Sequence, residues 1–158
     1  PVRPPVIILA KLVPYLLVGM INIVVILLIS VFILNVPIAG NIFLLFLVGT
    51  IFTLSSLALG IMVSVLTKTQ RSAIIISIAG LMLPAITLSG FIFPLGSLSL
   101  LMKVIVHLMP VTLFISAARN IMIKGLGMDA VYPELFGLIV ITVVLIVISI
   151  KCFKNRLS

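Results

Sequence analysis

The 158-residue sequence is 64% hydrophobic and 8% charged, whereas a soluble domain has roughly 45–50% apolar and about 25% charged residues. So few polar groups cannot cover a water-soluble globule, and most of the surface must meet other helices or lipid. Ten Lys/Arg face only Asp129 and Glu134, a formal charge of +8, but the cations lie mostly between apolar runs, without the basic stripe and stacking platform of a nucleic-acid binder; they suit anionic headgroups instead.

The sequence opens at Pro1 with neither an initiator methionine nor a basic n-region, so no signal peptide is expected and the chain reads as part of something longer. Residues 1–11 carry Arg3, Pro4, Pro5 and Lys11 ahead of the first long apolar run. Spans are expected over 12–34, 42–66, 72–94 and 132–150, each near the roughly 20 residues that cover about 30 Å of hydrocarbon. The rival, a β-barrel, requires polar and apolar residues in alternation, and the stretches 23–29 and 140–148 do not alternate.

The connections differ in chemistry. Asn35-Val-Pro-Ile-Ala-Gly-Asn41 is an uncharged turn, whereas Thr67-Lys-Thr-Gln-Arg71 is basic. The positive-inside rule assigns the basic turn to the cytoplasm together with Arg3, Lys11, Lys151, Lys154 and Arg156, and the uncharged turn to the outside. Residues 98–124 are long enough to span but contain Lys103, His107, Pro110, Arg119 and Lys124. A full crossing there would put the basic tail opposite the basic start, so this stretch is expected to be two short helices broken at Pro110 that dip in from outside and return. The expected fold class is all-α: a polytopic transmembrane bundle of four spans plus a re-entrant extracytoplasmic hairpin, ending in a cytoplasmic tail at 151–158.

Small residues mark faces. Gly49, Thr53, Ser56, Gly60 and Ser64 line one face of the second span, and Ala73, Ser77, Gly80, Pro84 and Thr87 one face of the third. Such stripes allow close backbone approach in lipid or line a substrate path. Pro84 is expected to kink its helix, and Asn22 to form a hydrogen bond between helices. Asp129 and Glu134 suit the positive start of the last helix, with Pro133 in its first turn.

Chemistry is sparse. There is no G-x-x-x-x-G-K-[ST] loop for ATP phosphates. A single histidine, His107, and a single cysteine, Cys152, make no metal site, and no cofactor is expected. Ser89, His107 and Asp129 lack a supporting motif for hydrolysis, so no catalytic residue is assigned. Ion-coupled carriers hold ionisable groups within their spans; the spans are read as lacking them, which places the energy source elsewhere.

The stretch Leu88-Ser-Gly-Phe-Ile-Phe-Pro94, followed by Pro110-Val-Thr-Leu-Phe-Ile115 and Arg119-Asn-Ile-Met-Ile-Lys-Gly125, resembles the C-terminal half of ABC-2 type transporter permeases. The opening Pro1-Val-Arg-Pro-Pro5 and Lys11-Leu-Val-Pro-Tyr15 look like the cytoplasmic stretch before the third of six spans. The resemblance implies a permease subunit of an ATP-binding cassette exporter moving a drug, lipid or ion. Its partners would be a separate ATPase subunit and a second permease half, in a homo- or heterodimer within a bacterial inner membrane. Arg3, Pro4, Pro5 and Lys11 would then lie near the ATPase. Ser89, Gly90, Phe91 and Pro94 would mark the outer end of the fifth span, and Pro110, Arg119, Lys124 and Gly125 the outer hairpin. The alternative is a non-transporting membrane scaffold or assembly subunit.

The charge pattern gives a labelling prediction. In intact cells, an impermeant thiol reagent is expected to modify Asn41→Cys and to spare Ser158→Cys; the reverse pattern inverts the topology.

Overall fold

The computed structural model describes residues 4–88 and 99–157. Every regular element among them is helical: α1 (Pro4–Phe32), α2 (Ile42–Leu66), α3 (Gln70–Ile76), a π-helical turn (Ser77–Met82), α4 (Leu83–Leu88), α5 (Leu100–His107), α6 (Pro110–Met122) and α7 (Met128–Leu157). Four stretches are long and apolar enough to cross a bilayer: Leu9–Phe32, Ile42–Leu66, Gln70–Thr87 and Met128–Cys152. Helices prevail because a bilayer supplies no water to backbone amides, and a helix satisfies them within one segment.

Boundaries shift where local chemistry allows. α1 begins at Pro4, eight residues before the expected span, because proline is tolerated in a first helical turn. α2 starts on Asn41, whose Oδ1 accepts from the Phe43 amide at 2.8 Å. α3 starts on a capping box in which Thr69 and Ser72 each bond the other's backbone amide. α7 begins at Met128, so Pro133 lies inside the helix in its second turn rather than in the first. From Gln70 to Leu88 the chain is one continuous rod, and its π-helical turn ends at Met82, two residues before Pro84. Proline lacks an amide hydrogen and its ring collides with the carbonyl four residues back. Widening the turn, with the Leu83 amide donating to Ile78 five residues back, accommodates that ring.

α2 is the hub and packs against α1, α6 and α7. α2 and α7 run parallel: Ser55 bonds Thr142, and the Ser149 hydroxyl donates to the Ala58 carbonyl at 3.4 Å. α1 runs antiparallel to α2, with Gly19 against Thr53 and Ile23 against Gly49. α6 is also antiparallel to α2; Phe114 stacks on Phe52 with ring centroids 4.4 Å apart, and the Ala39 amide donates to the Met122 carbonyl at 3.0 Å. The core therefore joins Leu45 and Val48 of α2, Leu113, Ala117 and Ile121 of α6, and Val131 and Leu138 of α7. The rod stands apart, with no buried residue from 70 to 87.

This arrangement gathers Lys11, Lys68, Arg71 and Lys151 at one end of the bundle. Arg119, Lys124 and Asp129 share the other with the 35–41 connection.

The α1–α2 crossing depends on missing side-chain volume. A Cβ on Gly19 would lie 2.3 Å from Cγ2 of Thr53 but 3.5 Å from its Cβ. Gly19→Ala is expected to destabilise the bundle by about 1–3 kcal/mol, the usual cost of overpacking. Thr53→Ala should recover most of that loss, as read from thermal unfolding midpoints in detergent.

Candidate functional site

A cavity of about 490 Å³ lies between α2, the rod and the turn joining α5 to α6, within the range usual for small-molecule sites. Phe52, Ser56 and Leu59 form the α2 wall, Ser77, Leu81, Met82 and Ala85 the rod wall, and Leu108, Met109, Pro110 and Val111 the third. None of the described residues lining it is charged; their side-chain hydroxyls are Ser56 and Ser77. Ser56 is the fifteenth of the 25 residues of α2, so the turn reaches the middle of the bundle. Pro110 stands first in α6 and the break itself falls on Leu108 and Met109. A proline there loses no bond, because a first-turn amide has no acceptor within the helix.

The two arms of this hairpin differ. α6 is built into the core, with Ala117 and Ile121 fully buried, whereas α5 is peripheral and leaves Leu100, Leu101 and Val104 exposed. His107 is exposed, and its Nδ1–H donates to the Lys103 carbonyl at 2.8 Å, the only direction a carbonyl permits.

A second open space follows the groove between α1 and α2, as cavities of about 500 and 330 Å³. Asn22 borders it and bonds nothing among the described residues, so the expected interhelical bond is absent. Among the described residues, the hydroxyls that do join helices are Ser55, Thr142, Ser149 and Ser116, none of them in the small-residue stripes. Thr142 already donates to the Leu138 carbonyl at 2.6 Å. Its single proton is thereby committed, so Ser55 is the donor between the two.

Sequence reasoning also missed a carboxylate inside a span. Glu134 belongs to the stretch Met128–Cys152 and faces α6. Its Oε1 accepts from Ser116 Oγ at 2.9 Å and from Asn120 Nδ2 at 3.3 Å, while Oε2 is buried with no partner among the described residues. Thr112, 3% exposed, also has a buried hydroxyl without a partner. The signal was legible: Thr112, Ser116 and Asn120 recur at steps of four, which places them on one face of α6. Among the described residues no group of three or more His, Cys, Asp or Glu converges.

The other sequence-predicted residues scatter. Arg3, Ser89, Gly90, Phe91 and Pro94 lie outside the described residues. Pro4 and Pro5 open α1, and Lys11 is exposed beside the α1–α2 groove. Gly49 and Thr53 meet α1, but Ser56, Gly60 and Ser64 border open space. Of the rod's stripe, Ser77 lines the central cavity, Gly80 is exposed, and Ala73, Pro84 and Thr87 are half-buried. Arg119 and Lys124 are exposed at the end of α6, and Gly125 takes φ +64° beside Ala39, a conformation that suits glycine.

The model of the ABC-2 type transporter family matches residues 1–123. The chain belongs to the ABC-2 type transporter family. YbhS of Escherichia coli K12, named "Probable multidrug ABC transporter permease", is 35% identical over 117 residues, 74% of this chain and 31% of YbhS. YbhR of the same organism, with the same descriptive name, is 30% identical over 134 residues, 85% of this chain and 36% of YbhR. "ABC transporter G family member 20" of Dictyostelium discoideum is 32% identical over 151 residues, 87% of this chain and 20% of that protein. The chain thus spans about a third of the length of the E. coli relatives. No solved structure matches it.

For this ABC-2 chain, the Ser55–Thr142 bond gives a stability test. Thr142→Val is expected to lower unfolding stability by about 1 kcal/mol, the scale of a hydrogen bond between helices in a bilayer. Adding Ser55→Ala should cost much less than the same change alone, because one interaction joins the two positions. Unfolding curves of the four proteins in detergent provide the comparison.

Proposed function

We propose that this chain is the C-terminal part of the permease subunit of an ATP-driven exporter, and that the cavity at the hairpin turn belongs to its translocation path. Membership of the ABC-2 family carries this reading. Support also comes from the cavity, which is drug-sized, has no charged residue among the described ones that line it and reaches the middle of the bundle. An uncharged lining suits neutral or amphipathic molecules, since unpaired charge in a lipid-depth wall is costly.

On this reading the end bearing Lys11, Lys68, Arg71 and Lys151 faces the cytoplasm of a bacterial inner membrane. Arg3, Pro4, Pro5 and Lys11 then stand next to a separate ATPase subunit, which hydrolyses ATP. A second permease half completes the path, as a homo- or heterodimer. The α5–α6 hairpin enters from outside and returns, its turn near mid-membrane, and Arg119 and Lys124 reach the outer headgroups. Because α6 is buried in the core, gating motion on this reading falls to α5 and the rod.

The test uses the full-length protein and its ATPase subunit in inside-out vesicles, with the neutral dye N-phenyl-1-naphthylamine as probe. ATP-dependent uptake is expected. Ala85→Phe, which fills the cavity from the rod side, should lower uptake at least about fivefold, equivalent to about 1 kcal/mol, with membrane level and ATPase binding unchanged. Equal uptake by the variant removes this cavity from the path. A full-length protein that binds no ATPase subunit favours the scaffold alternative.

A further inference from the structure

We propose that Glu134 is a positioning residue that fixes the depth of α6 against α7, and through it the third wall of the cavity. Apolar contacts hold α6 at Leu113, Phe114, Ala117 and Ile121. In lipid such contacts lack the hydrophobic drive they have in water and hold the depth of α6 only through shape, as where Leu113 fills the space beside Gly137 of α7. Directional bonds add to that hold. Oε1 of Glu134 takes both of its bonds from α6, from Ser116 and Asn120 one turn apart. Oε2 has no partner among the described residues, so the polar hold of this side chain is entirely on α6.

The opposite end of α6 has no such anchor. Met109 caps it without a side-chain bond, Pro110 has no amide hydrogen, and the Thr112 hydroxyl has no partner among the described residues. Met109, Pro110 and Val111 are the residues that form the cavity wall. They lie five to eleven residues from Ser116 and Asn120, about 8–16 Å along a helix, so a change in register at Glu134 is carried along α6 into the cavity. The Ala39–Met122 bond ties the far end of α6 to the 35–41 connection, whereas Glu134 ties α6 to α7.

The effect on transport rests on the exporter reading above; the effect on wall position does not. In a cysteine-free version of the full-length protein, Ser56→Cys and Val111→Cys place thiols on facing walls of the cavity. Bifunctional maleimides of graded length then report the gap. Glu134→Ala is expected to change which linker length gives the highest yield. It should also raise the dye concentration for half-maximal uptake about threefold, the factor set by one interhelical hydrogen bond in a bilayer, with the maximal rate kept. Glu134→Gln should restore both readouts, since its amide oxygen still accepts from Ser116 and Asn120. The pair Ser116→Ala and Asn120→Leu should reproduce Glu134→Ala, and combining all three should add little. An unchanged linker profile in Glu134→Ala overturns the proposal, as does a Glu134→Gln protein that behaves like Glu134→Ala. If Glu134→Ala does not insert, the Ser116/Asn120 pair and Glu134→Gln carry the same comparison. A shifted linker profile in protein that shows no ATP-dependent uptake supports the tether and counts against the exporter reading.

Discussion

A bilayer removes the usual reason for apolar side chains to gather, since leaving lipid for a neighbouring helix buries nothing from water. What remains is close packing and a few hydrogen bonds with nowhere else to go. In this chain those bonds are concentrated between α2 and α7, where Ser55 donates to Thr142 and Ser149 to the Ala58 carbonyl, and between α6 and α7 at Glu134. The three helices they join form the packed core. α1 is attached differently, by glycines at the crossing with α2 that let two backbones approach.

The rod from α3 to α4 has neither device. No residue between 70 and 87 is buried, and among the described residues its side-chain hydrogen bonds lie within the rod itself or reach its own cap at Thr69. The π-helical turn before Pro84 is the kind of irregularity that recurs at functional sites. A membrane helix tolerates it because the freed backbone groups can be satisfied by local adjustment. The division is therefore into a core held by polar bonds and a rod without a buried residue from 70 to 87, with the central cavity at the boundary.

The hairpin joins these parts. Its second arm, α6, is as deeply packed as any helix here, and its turn meets the rod. In the proposal above, Ser116 and Asn120 set the depth of that arm through their bonds to Glu134.

Much was legible in the sequence. Composition demanded lipid as solvent, apolar run lengths gave four membrane-length helices, and Pro110 with the cations around it divided 98–124 into two short ones. Those features are local: a bilayer imposes helix formation on any long apolar run, and proline acts on its own turn. Pairing was not legible. The small-residue stripes named two faces: Gly49 and Thr53 meet α1, Ser56 and Ser77 instead face each other across open space, and Asn22 bonds nothing among the described residues. The residues that bond across helices, Ser55, Thr142, Ser149 and Glu134, sit 14 to 91 positions from their partners. Which hydroxyl meets which carbonyl depends on the rotation and depth of two helices at once, and periodicity within either helix carries no record of that; only the packed bundle decides it.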